Sequence, residues 1–159
     1  EKWIAVVGLL NGKPYEIFTG KADNFYLPNN ITHGWVIRNK EENEKARYDF
    51  QFEDKDGYKV TIEGLSRSFD KEYWNYAKLI SGILRHGMPL LQVVELVSNL
   101  NLGENINTWK NGVVRALKKF IPNGTEVPDQ KCPECKQQKA LIYQDGCLIC
   151  KNCGYSKCG

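Results

Sequence analysis

The sequence predicts an α+β fold: an antiparallel sheet covered by about three helices, followed by a small C-terminal zinc ribbon. Three observations carry this. Apolar residues alternate with polar ones, between two-residue turn signals, up to residue 62; helical spacing takes over from residue 70; and all six cysteines follow residue 131. Strands followed by helices indicate an α+β arrangement rather than a wound parallel sheet. The expected organisation is an α+β domain over 1–121, a linker over 122–131, rich in Pro, Gly and charge, and a cysteine-rich ribbon and tail over 132–159.

The run WIAVVGLL at 3–10, the turn Asn11-Gly12 and the segment Tyr15 to Thr19 read as two strands joined by a tight turn. Glycine, proline and asparagine mark 20–33 as loop. A third strand is expected at Trp35 to Arg38, and a charged, solvated loop from Lys40 to Arg47. Tyr48, Phe50 and Phe52 alternate with polar residues, Asp56-Gly57 turns the chain, and Tyr58, Val60 and Ile62 repeat the alternation. Asp70 is a helix N-cap ahead of the face Tyr73, Ala77, Ile80 and Leu84; Arg85 and His86 suit its C-terminal dipole and Gly87 its stop. Pro89 suits the first turn of a second helix, with Leu90, Val93, Val94 and Val97 inward. Thr108 caps a third, with Trp109, Val113, Leu117 and Phe120 on one face, ending at Pro122-Asn123-Gly124.

Composition narrows the function. Apolar content of 42% and charged content of 26% are ordinary for a globular chain, and a net charge of +3 is too small to argue for nucleic acid. No apolar run approaches the roughly 20 residues of a membrane span. Glu1-Lys2-Trp3 leads straight into a strand pattern rather than reading as a signal peptide, and a start without methionine, almost inside a strand, suggests a piece cut from a longer polypeptide. Cysteines at metal-ligand spacing without export signals place the chain in a reducing cytoplasm. There is no glycine-rich phosphate loop, HExxH motif or Ser/His/Asp constellation. His86 reads as a helix-end charge, and Lys110, Arg115, Lys118 and Lys119 as a solvated face.

Cys132-Pro133-Glu134-Cys135 and Cys150-Lys151-Asn152-Cys153 supply two knuckles, with a hairpin turning at Asp145-Gly146 between them. Four thiolates in two such pairs suit tetrahedral zinc. Taking Cys147 and Cys150 as the second pair would put a ligand immediately after the turn and remove the returning strand, so Cys132, Cys135, Cys150 and Cys153 form the favoured set. Iron in a rubredoxin-like site is the alternative metal. The segment has few apolar residues to bury, so metal binding and its folding are expected to be one event. Cys147 and Cys158 remain. Cys158, on a short polar tail, is expected to be mobile and exposed. Lys151 and Lys157 could lower thiol pKa values and favour disulfide exchange; the alternative is that both thiols are incidental or help hold metal.

The run GCLICKNCGYSKCG at 146–159, preceded by CPEC, resembles the extreme C-terminus of cobalamin-dependent (class II) ribonucleotide reductases. NGKPYEIFTGKAD at 11–23, RHGMPLLQVVELVSNL at 85–100 and NTWKNGVVRALKKFIPNG at 107–124 resemble the region before it. The resemblance implies an accessory end of a radical-dependent ribonucleoside-diphosphate reductase, lacking the catalytic barrel and inactive alone. It implies adenosylcobalamin in the parent enzyme, not bound here. It also implies a relay in which C-terminal cysteines pass electrons from a thiol donor to the active-site disulfide of a barrel in the same or a neighbouring chain. Cys153 and Cys158 have the spacing of terminal relay pairs in other such reductases, but Cys153 is also in the favoured ligand set. The pair taken for the relay is Cys147 with Cys158, with ligand exchange among the last four cysteines left open. Reach requires the ribbon to swing on 122–131, which spans about 35 Å extended. The rival readings are a zinc-ribbon nucleic-acid module, to which Lys131, Lys136, Lys139, Lys151 and Lys157 would contribute, and an oligomerising appendage.

Overall fold

The computed structural model describes residues 2–40, 45–103 and 108–158. Within them the chain is α+β with antiparallel sheets, in two units, Glu1–Arg85 and His86–Gly159. Positions 41–44 of the expected charged loop lie outside the described residues.

In the first unit, β1 (Trp3–Leu10) and β2 (Lys13–Lys21) pair through the expected turn, where Asn11 and Gly12 both have positive φ, as a two-residue turn of the right twist requires. Strands β3 (Trp35–Asn39), β4 (Arg47–Glu53) and β5 (Lys59–Ile62) form a second, three-stranded sheet. The single sheet anticipated for this part is therefore two. The free edge of β2 explains it: the Ile17 N–H donates to Ser81 Oγ at 3.0 Å, and the Ser81 hydroxyl lies 3.2 Å from the Ile17 carbonyl. A helix thus satisfies the edge that another strand would have used. Between the sheets, Phe18, Phe25, Phe50, Phe52, Leu65 and Phe69 form one core. Gly20 is required there, because a Cβ would collide with the Phe69 ring.

Helix α1 (Leu65–Ser68) is a single turn with no sequence period to announce it; Gly64 enters it at φ 68°. Its start is tied to buried Asp49, whose carboxylate accepts from the Gly64 N–H at 2.8 Å, Asn39 Nδ2 at 2.6 Å and the Arg47 guanidinium at 3.0 Å. Burial alone would raise the Asp49 pKa, but these donors outweigh it and hold the carboxyl below its ordinary value. Helix α2 (Lys71–Arg85) buries Ala77, Ile80, Ser81 and Leu84, the anticipated face with Tyr73 only half-buried.

The second unit begins with α3 (Leu90–Ser98), which Pro89 caps rather than enters, and α4 (Trp109–Lys118), with Thr108 at its N-cap. Their buried residues are Val93, Val94, Val97, Trp109, Val113, Val114 and Leu117. The α4 face differs at its end: Phe120 is half-buried, whereas Ile121 just beyond it is buried, because the helix stops at Lys118. The segment composition marks as a linker behaves otherwise. The Gly124 N–H donates to the Tyr143 carbonyl at 2.7 Å, the Tyr143 N–H to Thr125 at 2.9 Å, and the Val127 N–H to Leu141 at 3.0 Å, with Val127 buried. Residues 124–127 thus run antiparallel to the first strand of the ribbon, and a swing on 122–131 would first have to break these bonds.

Candidate metal centre and redox pair

The ribbon is a three-stranded sheet in the order β6 (Leu141–Gln144), β7 (Cys147–Cys150), β8 (Ser156–Cys158). Asp145 and Gly146 turn β6 into β7 with φ of 50° and 77°, and Asn123 holds the turn by accepting the Asp145 N–H at 2.8 Å. The first knuckle precedes β6; the second connects β7 to β8.

The sulfurs of Cys132, Cys135, Cys150 and Cys153 all lie within 4.8 Å of one another. Cys132 and Cys153 sulfurs are 3.6 Å apart and those of Cys135 and Cys150 3.7 Å. Sulfurs at the corners of a tetrahedron with 2.3 Å bonds to a central zinc would be about 3.8 Å apart. The spacing is far too long for disulfides and fits an ion at the centre. The sulfurs also receive hydrogen bonds. The Asn152 side-chain amide donates to Cys135 at 3.5 Å, with a further donor in the Gln137 backbone, and together they bring the Cys135 thiol down to about 6. The Cys153 N–H, with that of Asn152, lowers Cys150. At Cys153 the Tyr155 N–H also lowers the pKa, but burial and the neighbouring thiols outweigh it and push it up to about 11. Four sulfurs this close resist full ionisation unless a cation compensates them. Asn152 has no spacing signal in sequence, beyond lying inside the second knuckle.

Cys147 and Cys158 stand apart from this cluster and are joined by a disulfide, with Cα atoms 4.3 Å apart. Their pairing follows from register: Cys147 faces Cys158, Leu148 faces Lys157 and Ile149 faces Ser156. The Cys150 N–H donates to the Tyr155 carbonyl at 2.8 Å, so 147/158 is a non-hydrogen-bonded pair, the position where opposed Cα atoms are closest. One hairpin therefore carries both features, with the knuckle at its closed end and the disulfide at its open end. Ser156–Cys158, anticipated as a mobile tail, is an edge strand here; Cys158 is exposed and Cys147 half-buried. Lys151 is turned toward Glu126, at 2.9 Å.

The NrdJ homologue C-terminal domain profile matches residues 1–122. The chain belongs to that family. NrdJ is the cobalamin-dependent ribonucleotide reductase, so the match supports reading this chain as the C-terminal region of a class II enzyme. The match ends at residue 122, so all six cysteines of this NrdJ-related chain lie beyond it. No curated protein and no solved structure matches the chain.

Proposed function

We propose that this region relays electrons by thiol–disulfide exchange to the active-site disulfide of a separate ribonucleotide reductase barrel, in the same or a neighbouring chain. The observation supporting it is the Cys147–Cys158 disulfide, held apart from a four-sulfur cluster in a chain of this family. In the reduced state, the Cys158 thiolate, the more exposed of the two, attacks one sulfur of the barrel disulfide and forms a mixed disulfide. The Cys147 thiolate then attacks the Cys158 sulfur. The Cys147–Cys158 bond closes and the barrel is left with two thiols, so two electrons and two protons have moved. An external dithiol reverses the change in the relay pair.

Zinc is the metal this donor set favours, since four thiolates in a tetrahedron suit it. Cys132, Cys135, Cys150 and Cys153 would hold it, and it would supply structure rather than redox chemistry. Adenosylcobalamin belongs to the barrel in this reading, and residues 1–159 alone should not turn over. The enzyme would work in the cytoplasm, where dithiol donors keep the pair cycling. Because residues 124–127 pair with β6, delivery depends on release of β8: the chain from Cys153 to Cys158 can extend about 17 Å.

The test is Cys158→Ser in the full-length enzyme, loaded with cobalamin and given excess donor. A first turnover at the normal rate followed by arrest is expected. Undiminished repeated turnover would refute the relay.

A further inference from the structure

The disulfide and the four-sulfur cluster are two cross-links on one short ladder. Cys150, the last residue of β7, and Cys153, on the turn into β8, supply the second knuckle. Each lies close to a sulfur of the first knuckle: Cys135 is 3.7 Å from Cys150 and Cys132 is 3.6 Å from Cys153. An ion at the centre would therefore tie both legs of the β7–β8 hairpin to the first knuckle, at the closed end. The Gly154 N–H donates to the Cys150 carbonyl at 3.0 Å and the Cys150 N–H to the Tyr155 carbonyl at 2.8 Å, which runs the knuckle directly into the ladder. From there Ile149 faces Ser156, Leu148 faces Lys157 and Cys147 faces Cys158, where the disulfide closes the open end. The second knuckle thus lies inside the loop that the disulfide encloses. Strand alternation puts Cys147 with Ile149 on one face of β7 and Cys150 with Leu148 on the other. Cys147 cannot join the cluster while β7 keeps its register, so the two features communicate through the ladder rather than by trading sulfurs.

We infer that the metal centre sets the redox poise of the Cys147–Cys158 pair, and that the disulfide in turn tightens the hold on the metal. Each cross-link keeps the hairpin in the register the other needs, so forming either one removes part of the ordering cost of the other. Linkage makes the effect reciprocal: the factor by which the disulfide raises metal affinity is the factor by which the metal favours the disulfide over two thiols. Closing the whole loop is worth about 100-fold, and the knuckle fixes only its middle. The shared part is about tenfold, or about 30 mV for a two-electron couple. The metal-loaded ribbon has the lower potential. What this does for electron transfer rests on the relay reading. In the step from relay to barrel the two thiols become a disulfide and give up two electrons and two protons, and the ion favours that direction. Without the ion, the external dithiol would reduce the pair more readily and the pair would pass its electrons on less completely. The ion itself gains and loses no electron.

The experiment titrates zinc against a chromophoric chelator, without oxygen, in three forms of the chain: oxidised at Cys147–Cys158, fully reduced, and carrying Cys147→Ser with Cys158→Ser. Peptide mapping at the end of each titration checks that the disulfide has stayed where it began. The oxidised form should bind zinc about tenfold more tightly than the other two, which should agree with each other. Equal affinity in the oxidised and reduced forms would overturn the inference. Tighter binding by the reduced form would overturn it too, and would mean that a freed thiol enters the cluster; the double variant, which has no such thiol, would then bind more weakly than the reduced chain. The comparison of oxidised with reduced chain needs no substitution, so a folding defect in the variant cannot decide it. None of these outcomes involves turnover, so the coupling can fail while the relay stands, and the relay can fail while the coupling stands.

Discussion

Reduction of Cys147–Cys158 should release β8 while the rest of the ribbon stays in place. All three residues of β8 are exposed, so little apolar burial holds the strand to β7. What holds it is the ladder and a covalent bond closing a loop of 11 residues' separation. In the chain-entropy view a loop of that size is worth roughly 3 kcal/mol, or about 100-fold in the opening equilibrium. A metal in the second knuckle already fixes 150–153 within the loop, which makes that figure an upper bound for the metal-loaded protein. Hydrogen exchange read amide by amide, before and after adding a reductant that leaves the metal bound, provides the measure. The Lys157 amide, the one N–H of β8 that this register turns toward β7, should lose most of its protection, by up to about 100-fold. The amides of Leu141–Gln144 should keep theirs, being paired on both sides, with β7 and with residues 124–127. Protection of β8 unchanged by reduction would refute the argument and leave Cys158 no means of reaching another disulfide.

Removing the metal should act more widely: a chelator in reducing buffer should expose Leu141–Gln144 and Cys147–Cys150 to exchange while Trp3–Leu10 and Lys13–Lys21 in the first unit stay protected, since structural metal contributes on the order of 10 kcal/mol. Equal loss in both units would contradict that assignment. Asn152→Ala removes the side-chain donor to Cys135 and should weaken metal affinity about tenfold in competition with a chromophoric chelator; no change would mean the amide is not part of the site. The first unit should be acid-labile through Asp49. Its carboxyl is held below the ordinary value when folded, so its stabilisation is complete above about pH 4 and is lost as pH falls through the lowered pKa. Asp49→Asn should flatten that acid limb in urea unfolding, and an unaltered pH profile would show that other groups govern it.

Much of this was legible because some residues have only one local use. Asn11-Gly12 and Asp145-Gly146 fix two-residue turns through positive φ, and the doubled Cys-x2-Cys spacing sets four sulfurs around a point. What escaped the sequence depends on partners distant along the chain. Residues 122–131 carry the composition of a linker, yet Val127 is buried and its neighbours borrow the edge of β6. Ser156-Lys157-Cys158 has no apolar pattern to announce a strand; register with β7 and the bond to Cys147 make it one. The two-sheet arrangement turns on one hydroxyl, Ser81, which looks like an ordinary polar helix residue until it meets Ile17. Lys118 and Lys119, plausible as a solvated face in sequence, have the Asp145-Gly146 turn packed against their backbone at the end of α4, a contact with no local signal in the sequence.

The central claim is a division of labour among six sulfurs, and counting reactive thiols tests it most directly. After gentle reduction of the metal-loaded chain, two thiols should titrate at once, at Cys147 and Cys158, and the other four should follow only when a chelator is added. If no thiol reacts before the chelator, or if all six react without it, the division is wrong.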